Sequence, residues 1–341
     1  MRDPLLSVHD LKKYFDIKTG FLGRVKGHVK AVDGVSLDIH RGESFGLVGE
    51  SGCGKSTLGL TILRGLDPTD GEVVFRPDGE RSYDLARVDG RTLKRLRREA
   101  QMIFQDPFSS LSPRMTVRDI IGEPMLVNRL ARGSELDDRI ETLLKSVGLN
   151  PHHLKRYPHA FSGGQRQRIG IARALIMNPR FIVADEPVSA LDVSVQAQIL
   201  ELLMNLKSEF DLTYLFISHD LSVIKYFCDR VAVMYVGKLV ELTGTEELFT
   251  RPLHPYTESL TSAIPIPDPH RRRESEPLKG EVADPAAPPS GCYFHPRCKY
   301  ARDICCEEEP GLVDLSEGDE EPHLVACHFA VKLRLKPVLA S

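Results

Sequence analysis

The stretch Gly49-Glu50-Ser51-Gly52-Cys53-Gly54-Lys55-Ser56-Thr57 leaves this chain few folds to choose from. It has the form G-x-x-x-x-G-K-S, a phosphate-binding loop, which works only between a strand and a helix. Ser44-Phe45-Gly46-Leu47-Val48 before it reads as a short apolar strand, and Leu58-Gly59-Leu60-Thr61-Ile62-Leu63 after it as the start of an apolar helix. Gly49, Gly52 and Gly54 let the backbone fold back and turn successive N–H groups inward. With the helix N-terminus behind them, those groups make a nest for a β-phosphate. Lys55 is expected to reach the β- and γ-phosphates, the Ser56 hydroxyl to ligate Mg²⁺, and Thr57 to add a second hydroxyl.

Such a loop needs acids opposite it. Phe181-Ile182-Val183-Ala184 is a continuous apolar run of the kind found in buried parallel strands, and Asp185-Glu186 follows it. Asp185 at the strand end can reach the Mg²⁺ shell, and Glu186 can polarise the attacking water as general base. Upstream, Phe161-Ser162-Gly163-Gly164-Gln165 precedes a helix through Ile169, Ala172, Leu175 and Ile176. Ser162 is a good N-cap, and the two glycines expose helix-start N–H groups, a second anion site. One chain cannot easily bring both anion sites onto one nucleotide. A two-fold dimer can, each chain's Ser162, Gly163, Gly164 and Gln165 facing its partner's phosphate loop.

In this order, phosphate loop, Phe-Ser-Gly-Gly-Gln and Asp-Glu resemble the ATPase subunit of an ABC transporter, over about residues 4–250. The resemblance implies ATP and Mg²⁺ as ligands and gives further residues a place. Gln105, in Phe104-Gln105-Asp106-Pro107, matches the family's Q-loop, which senses Mg²⁺ and water and faces the transmembrane subunit. Asp192, in Ser189-Ala190-Leu191-Asp192, matches the D-loop, which crosses the dimer interface. His219, in Ile217-Ser218-His219-Asp220, matches the switch histidine at the γ-phosphate. Tyr14 lies where the family stacks an aromatic on adenine, with Phe15 as rival. The implied fold is an α/β P-loop NTPase core: a mixed sheet, an antiparallel β-subdomain at the N-terminus and an inserted helical subdomain at 92–178. Residues 1–250 form the ATPase domain and 251–341 a small irregular C-terminal appendage.

A narrower resemblance concerns cargo. The phosphate loop, Phe104-Gln105-Asp106-Pro107, Ser110-Leu111-Ser112-Pro113-Arg114-Met115-Thr116-Val117, Leu253-His254-Pro255-Tyr256-Thr257 and Gly291-Cys292-Tyr293-Phe294-His295-Pro296-Arg297-Cys298 look like the oligopeptide/dipeptide importers. This implies two transmembrane permease subunits, a second and different ATP-binding subunit, an extracytoplasmic peptide-binding protein, and a peripheral place on the cytoplasmic face of the cell membrane. Nickel importers share the group, so nickel or another solute is an alternative cargo. A soluble ABC ATPase outside transport is an alternative of another class. It usually carries two ATPase domains or a long coiled-coil insert, and neither is visible.

Composition narrows the partners. With 341 residues, 41% of them hydrophobic, the chain can build one large domain and a smaller one. A net charge of −3 argues against nucleic acid as partner. No apolar run approaches the roughly 20 residues that span a bilayer, and Met1-Arg2-Asp3-Pro4 does not open a signal peptide, so membrane association is expected to come through a partner. Of the seven cysteines, Cys53 and Cys228 read as structural, and the other five crowd into the last fifty residues. Without a secretion signal, that clustering favours metal over disulfides. Cys292-x₅-Cys298-x₆-Cys305 and Cys327 do not have the pair spacing of ordinary zinc modules. Four thiolates suit a [4Fe–4S] cluster or structural zinc, with free thiols or a disulfide also open, and the importer resemblance implies the cluster. Cys306 is an alternative to Cys305, and His295 and His328 are nitrogen ligands in reserve.

Local patterns fill in the rest. Leu5–Leu11 reads as a first strand and Val35–Ile39 as a half-buried one, with a solvated hairpin or loop at 17–30 between them. A strand is expected at Glu72–Phe75, and a solvated basic helix face at Arg91, Lys94, Arg95, Arg97 and Arg98. Ser134 is expected to cap a helix that Gly148 stops. Val195 to Leu206 marks a helix and Tyr214–Ser218 a buried strand. Val236-Gly237 sits at the tip of a hairpin between Val231–Tyr235 and Lys238–Leu242. The proline-rich sequence after residue 250 reads as a linker and an appendage without helices or strands.

Overall fold

The computed structural model describes residues 4–19, 24–106, 108, 110–263, 278, 280–316 and 321–337. The chain opens with β1 (Pro4–Thr19), β2 (Arg24–His40), β3 (Ser44–Val48), α1 (Lys55–Ile62), β4 (Asp70–Phe75), β5 (Tyr83–Asp84), α2 (Gly90–Leu96) and β6 (Ala100–Ile103). A helical stretch follows, α3 (Val117–Val127), α4 (Gly133–Ser146) and α5 (Gly163–Leu175). The chain then returns to the sheet through β7 (Phe181–Asp185), α6 (Val193–Phe210), β8 (Thr213–Ile217), α7 (Leu221–Phe227), β9 (Arg230–Tyr235) and β10 (Lys238–Gly244). It ends in α8 (Thr245–Thr250), α9 (Pro255–Ser262), α10 (Asp303–Glu307), β11 (Val313–Asp314) and β12 (Leu324–Val325).

Two sheets form. One is antiparallel, in the order β2-β1-β4-β5; the other has the order β11-β12-β10-β9-β3-β8-β7-β6. In the larger sheet β6, β7, β8, β3 and β9 run parallel, and β10, β12 and β11 add antiparallel strands at one side. Its inner strands are buried on both faces, which is why Phe181–Asp185 carries no polar alternation. Phe181 and Val183 pack with the small sheet and α1, while Ile182 and Ala184 pack with the helical side. Strand pleating thus sends one apolar run into two cores. This is the mixed sheet with antiparallel subdomain and inserted helices that the motifs imply.

Several sequence expectations need correction. β1 continues to Thr19 and β2 starts at Arg24, so most of 17–30 is strand; residues 20–23 lie outside the described residues. The outer half of this ribbon keeps its pairing, from Tyr14↔Lys30 to Thr19↔Arg24, while most of its side chains face solvent, so no apolar period marks it. The span 92–178 is not all helical: β6 lies in it and pairs in parallel with β7. Four residues are too few to show a period. Ser134 is not the cap of α4; the helix starts at Gly133 behind Arg132, without a side-chain cap. Gly148 does end it, at φ 71°. The hairpin at Val236-Gly237 forms as expected, both residues at positive φ.

The sequence after residue 250 is more regular than its prolines suggest. Pro255 occupies the first turn of α9, where its missing N–H costs nothing, and His254 caps that helix by accepting from the Tyr256 N–H, 3.0 Å. Burial holds the His254 imidazole down to about 3, so it stays neutral and free to accept. β12 pairs with β10 and so joins the main sheet. Phe294 is buried against the rings of Tyr235 and Tyr256, both 5.3 Å away. Much of the proline-rich stretch, 264–277, lies outside the described residues.

Candidate active site

The phosphate loop joins the end of β3 to α1. Gly49 has φ 154° and a Cβ there would stand 2.2 Å from the Met234 carbonyl oxygen; at Gly54, φ 105°, it would stand 2.0 Å from that of Ala31. Only glycine fits either place. The β9–β10 turn braces the loop, since the Gly237 N–H donates to Cys53 O at 2.9 Å. Lys55 is buried at the first turn of α1 and its Nζ donates to Gly49 O at 2.7 Å and Glu50 O at 3.0 Å. The loop's own carbonyls therefore fix where the ammonium sits. Cys53 is buried beside it, its sulfur 3.8 Å from Nζ, and burial pushes its thiol up. Ser51 and Gly52 are exposed, and Thr57 is half-buried.

The acids arrive from the neighbouring strands. Ser56 Oγ donates to Asp185 Oδ1 at 2.9 Å, which joins two of the three expected Mg²⁺ residues across 129 residues of sequence, Gln105 being the third. Burial raises Asp185, the Ser56 bond lowers it and the Glu186 charge raises it again; the net direction is up. Glu186 has φ 45°, a left-handed conformation rare outside glycine, and its N–H donates to Ile217 O. That turn re-aims its carboxylate off the strand. Gln105 Nε2 donates to Glu186 Oε2 at 2.9 Å, and His219 Nδ1 lies 3.1 Å from the same oxygen. β6, β7 and β8 are adjacent, so the loops at their ends bring Gln105, Glu186 and His219 to one point. Both contacts fall on Oε2.

Other expected residues stand apart. Ser162 caps α5 in a reciprocal capping box with Gln165. Among the described residues no hydrogen bond or ion pair joins Ser162, Gly163, Gly164 or Gln165 to residues 49–57. Gly164 also has a packing reason: a Cβ there would stand 2.5 Å from Val195 on α6. Asp192 is exposed at the start of α6 and makes no cap bond. Tyr14 is half-buried, with its hydroxyl donating to Asp33 Oδ1; Phe15 is 38% exposed under Lys13. Burial works to raise Asp33, but the Tyr14 bond and the Lys238 and Lys30 charges hold its carboxyl low.

Cys292, Cys298, Cys305 and Cys327 line one pocket of about 20 Å³ with Phe294, His295, Pro310, His328 and Phe329. Burial pushes the Cys292 thiol up to about 12 and the Cys298 thiol up to about 11. Cys306 is exposed and does not line the pocket. Among the described residues no three His, Cys, Asp or Glu side chains form a group able to hold a metal ion. The expected cysteines converge, then, but do not present a formed metal site. Sequence reasoning missed a different role nearby. Tyr256, noticed only as part of Leu253–Thr257, has its hydroxyl 2.9 Å from the Glu50 backbone nitrogen of the phosphate loop.

Comparison with known proteins decides the family. Residues 32–189 match the ABC transporter family, and residues 240–305 match the oligopeptide/dipeptide transporter C-terminal region. The chain is 51% identical over 331 residues to the oligopeptide transport ATP-binding protein AppF of Bacillus subtilis, covering 96% of this chain and 98% of that one. This chain belongs to the ATP-binding subunits of ABC transporters. It is an ATPase by family. Among solved structures it resembles cbiO1 of Clostridium perfringens, part of the ABC transporter complex cbiONQ, with TM-score 0.61, 28% identity and coverage of 73% of this chain and 91% of that one. It also resembles the ATP-binding cassette MJ0796 in a dimeric post-hydrolysis state bound to ADP and phosphate, with TM-score 0.60, 30% identity and coverage of 70% and 98%. Like them it holds an α/β P-loop core. Among the described residues no helix is long and apolar enough to cross a membrane.

Proposed function

We propose that this ABC ATPase powers the import of di- or oligopeptides through two transmembrane permease subunits, supplied by an extracytoplasmic peptide-binding protein. The observation that carries the chemistry is the Glu186 carboxylate, held by Gln105 and His219 beside the Ser56–Asp185 pair. The N–H groups of residues 49–57 and Lys55 bind the phosphates of ATP, and Tyr14 offers its ring to adenine. Ser56 and Asp185 fit Mg²⁺ in donor kind and spacing, one hydroxyl and one carboxylate already meeting at 2.9 Å. When bound, Mg²⁺ neutralises charge on the β- and γ-phosphate oxygens. Glu186 takes a proton from water, the oxygen attacks the γ-phosphorus, and ADP leaves with the bridging oxygen. Gln105 and His219 orient Glu186, and His219 reaches toward the γ-phosphate.

Ser162, Gly163, Gly164 and Gln165 would complete the site of a second ATP-binding subunit, with Asp192 at the interface; a non-identical partner is the arrangement we favour. The likeness to a dimeric cassette supports a paired site. The two segments 1–250 and 251–341 act as ATPase domain and appendage, and the subunit sits on the cytoplasmic face of the membrane. The peptide assignment is tested by reconstituting the subunits in vesicles. ATP hydrolysis is expected to rise with peptide-loaded binding protein. Stimulation by Ni²⁺ and none by peptide would assign the transporter to metal.

Four thiols on one pocket support a [4Fe–4S] cluster on Cys292, Cys298, Cys305 and Cys327, with zinc as the alternative. The residues match in donor kind, though among the described residues they do not form a group able to hold a metal ion. The pocket has room for about one water, so the side chains would have to turn outward to hold it. Protein purified without oxygen should be brown and carry about four irons per chain, and Cys305→Ser should bleach it. About one zinc and no iron would replace the cluster with a structural zinc. Neither metal would leave four thiols.

A further inference from the structure

The sequence beyond residue 250 grips the phosphate loop at a single residue, Glu50, from two sides. The Glu50 N–H donates to the Tyr256 hydroxyl oxygen at 2.9 Å. Its carboxylate accepts both arms of Arg297, Nη1 to Oε2 at 2.6 Å and Nη2 to Oε1 at 3.0 Å. The Arg297 side chain is 5% exposed and that of Glu50 27%. Two parallel charge-assisted bonds from a nearly buried guanidinium to a partly exposed carboxylate hold geometry better than a surface ion pair. Tyr256 lies in α9, its ring fixed against Tyr235 and Phe294. Arg297 ends the short turn His295–Arg297, directly before Cys298 of the cysteine pocket. Glu50 is also the residue whose carbonyl, with that of Gly49, holds Lys55 Nζ. The hydrolytic steps leave its carboxylate without a task.

We propose that Tyr256 and Arg297 form a latch that keeps the phosphate loop in its nucleotide-ready shape, Arg297 being a positioning residue that acts through Glu50. This rests on residues 49–57 being the phosphate site. With the latch closed, the loop's N–H groups and Lys55 are ordered before nucleotide arrives. With it open, that ordering must be achieved on binding, and affinity falls. Glu186, Gln105 and His219 sit on other elements, so the loss falls on nucleotide affinity and KM more than on kcat. The latch also lies next to the cysteine pocket, since Arg297 directly precedes Cys298.

The test is made on the full-length chain, with a fluorescent ADP analogue for binding and ATP hydrolysis for rate. Arg297→Met is expected to weaken nucleotide binding about ten- to a hundredfold, the size of one lost charged hydrogen bond, and to raise KM by a similar factor with a smaller change in kcat. Arg297→Lys keeps the charge without the fork and should recover part of the loss. Glu50→Gln reads the same latch from the other end, from a partly exposed position that does not endanger folding. Its KM should rise too, and the double variant should bind no worse than the weaker single. Parental affinity in Glu50→Gln, or in Arg297→Met with only a lowered Tm, would make the pair mere packing and overturn the latch. Lys55→Ala separates the two questions. It should abolish binding; if it binds nucleotide like the parent, the phosphate site itself is misassigned, whereas loss in Lys55→Ala with parental Arg297→Met discards the latch alone.

Discussion

Glu186→Gln is expected to leave nucleotide binding intact and to lower ATP turnover by about 10²- to 10⁴-fold, or roughly 3–5 kcal/mol of barrier. The change keeps the shape of the side chain, and its amide oxygen can still accept from Gln105. It removes a carboxylate oxygen of the proposed base. The backbone at Glu186 already sits at φ 45°, an uncommon geometry that serves to place this one carboxylate. The variant should accumulate with ATP bound, and a dimer by size-exclusion chromatography in ATP but not in ADP would show it. Turnover within threefold of the parent would remove Glu186 from the role of base and leave Asp185 or His219 as the candidates.

Ser162→Arg is expected to abolish hydrolysis at the site that the opposite chain completes, while this chain's own Lys55 site still binds nucleotide. The structure gives a reason to expect this split. Ser162 is exposed at the N-terminus of α5, and among the described residues it makes no bond to residues 49–57. Arginine there costs the cap, about 1 kcal/mol of helix stability, and puts a long cation where a phosphate is to be received. In mixed assemblies that carry the change on one subunit only, one of the two sites should fail. Loss of nucleotide binding by the isolated chain would instead place Ser162 at its own phosphate loop and end the composite-site proposal.

The chemistry was legible because it is written in short contiguous motifs. The loop at 49–57 declares itself by glycine spacing, and Asp185-Glu186 by following an apolar run that had to be a strand. The buried strands and the hairpin at Val236-Gly237 were legible for the same reason: local composition and local conformation agree there. The outer half of the β1–β2 ribbon was not, since its strands are held by each other's backbone and bury little. Nor was β6, whose four residues become strand only because β7 lies alongside. α9 hid behind prolines that its first turn tolerates.

By itself, then, the sequence determined the phosphate loop, the acids that face it, the order of motifs that marks an ABC ATPase, and the four cysteines near its end. Each is a matter of residue type and spacing along the chain. The tertiary structure alone decided which side chains meet. It put Gln105 and His219 on the same oxygen of Glu186, because β6, β7 and β8 are neighbours in the sheet though far apart in sequence. It drew the four cysteines to one pocket without forming a metal group among the described residues. It also carried Arg297 to Glu50 across 247 residues, because β12 and Phe294 dock the last part of the chain onto the main sheet. No pattern of composition or spacing encodes such contacts, since they arise only when separate elements pack against one another.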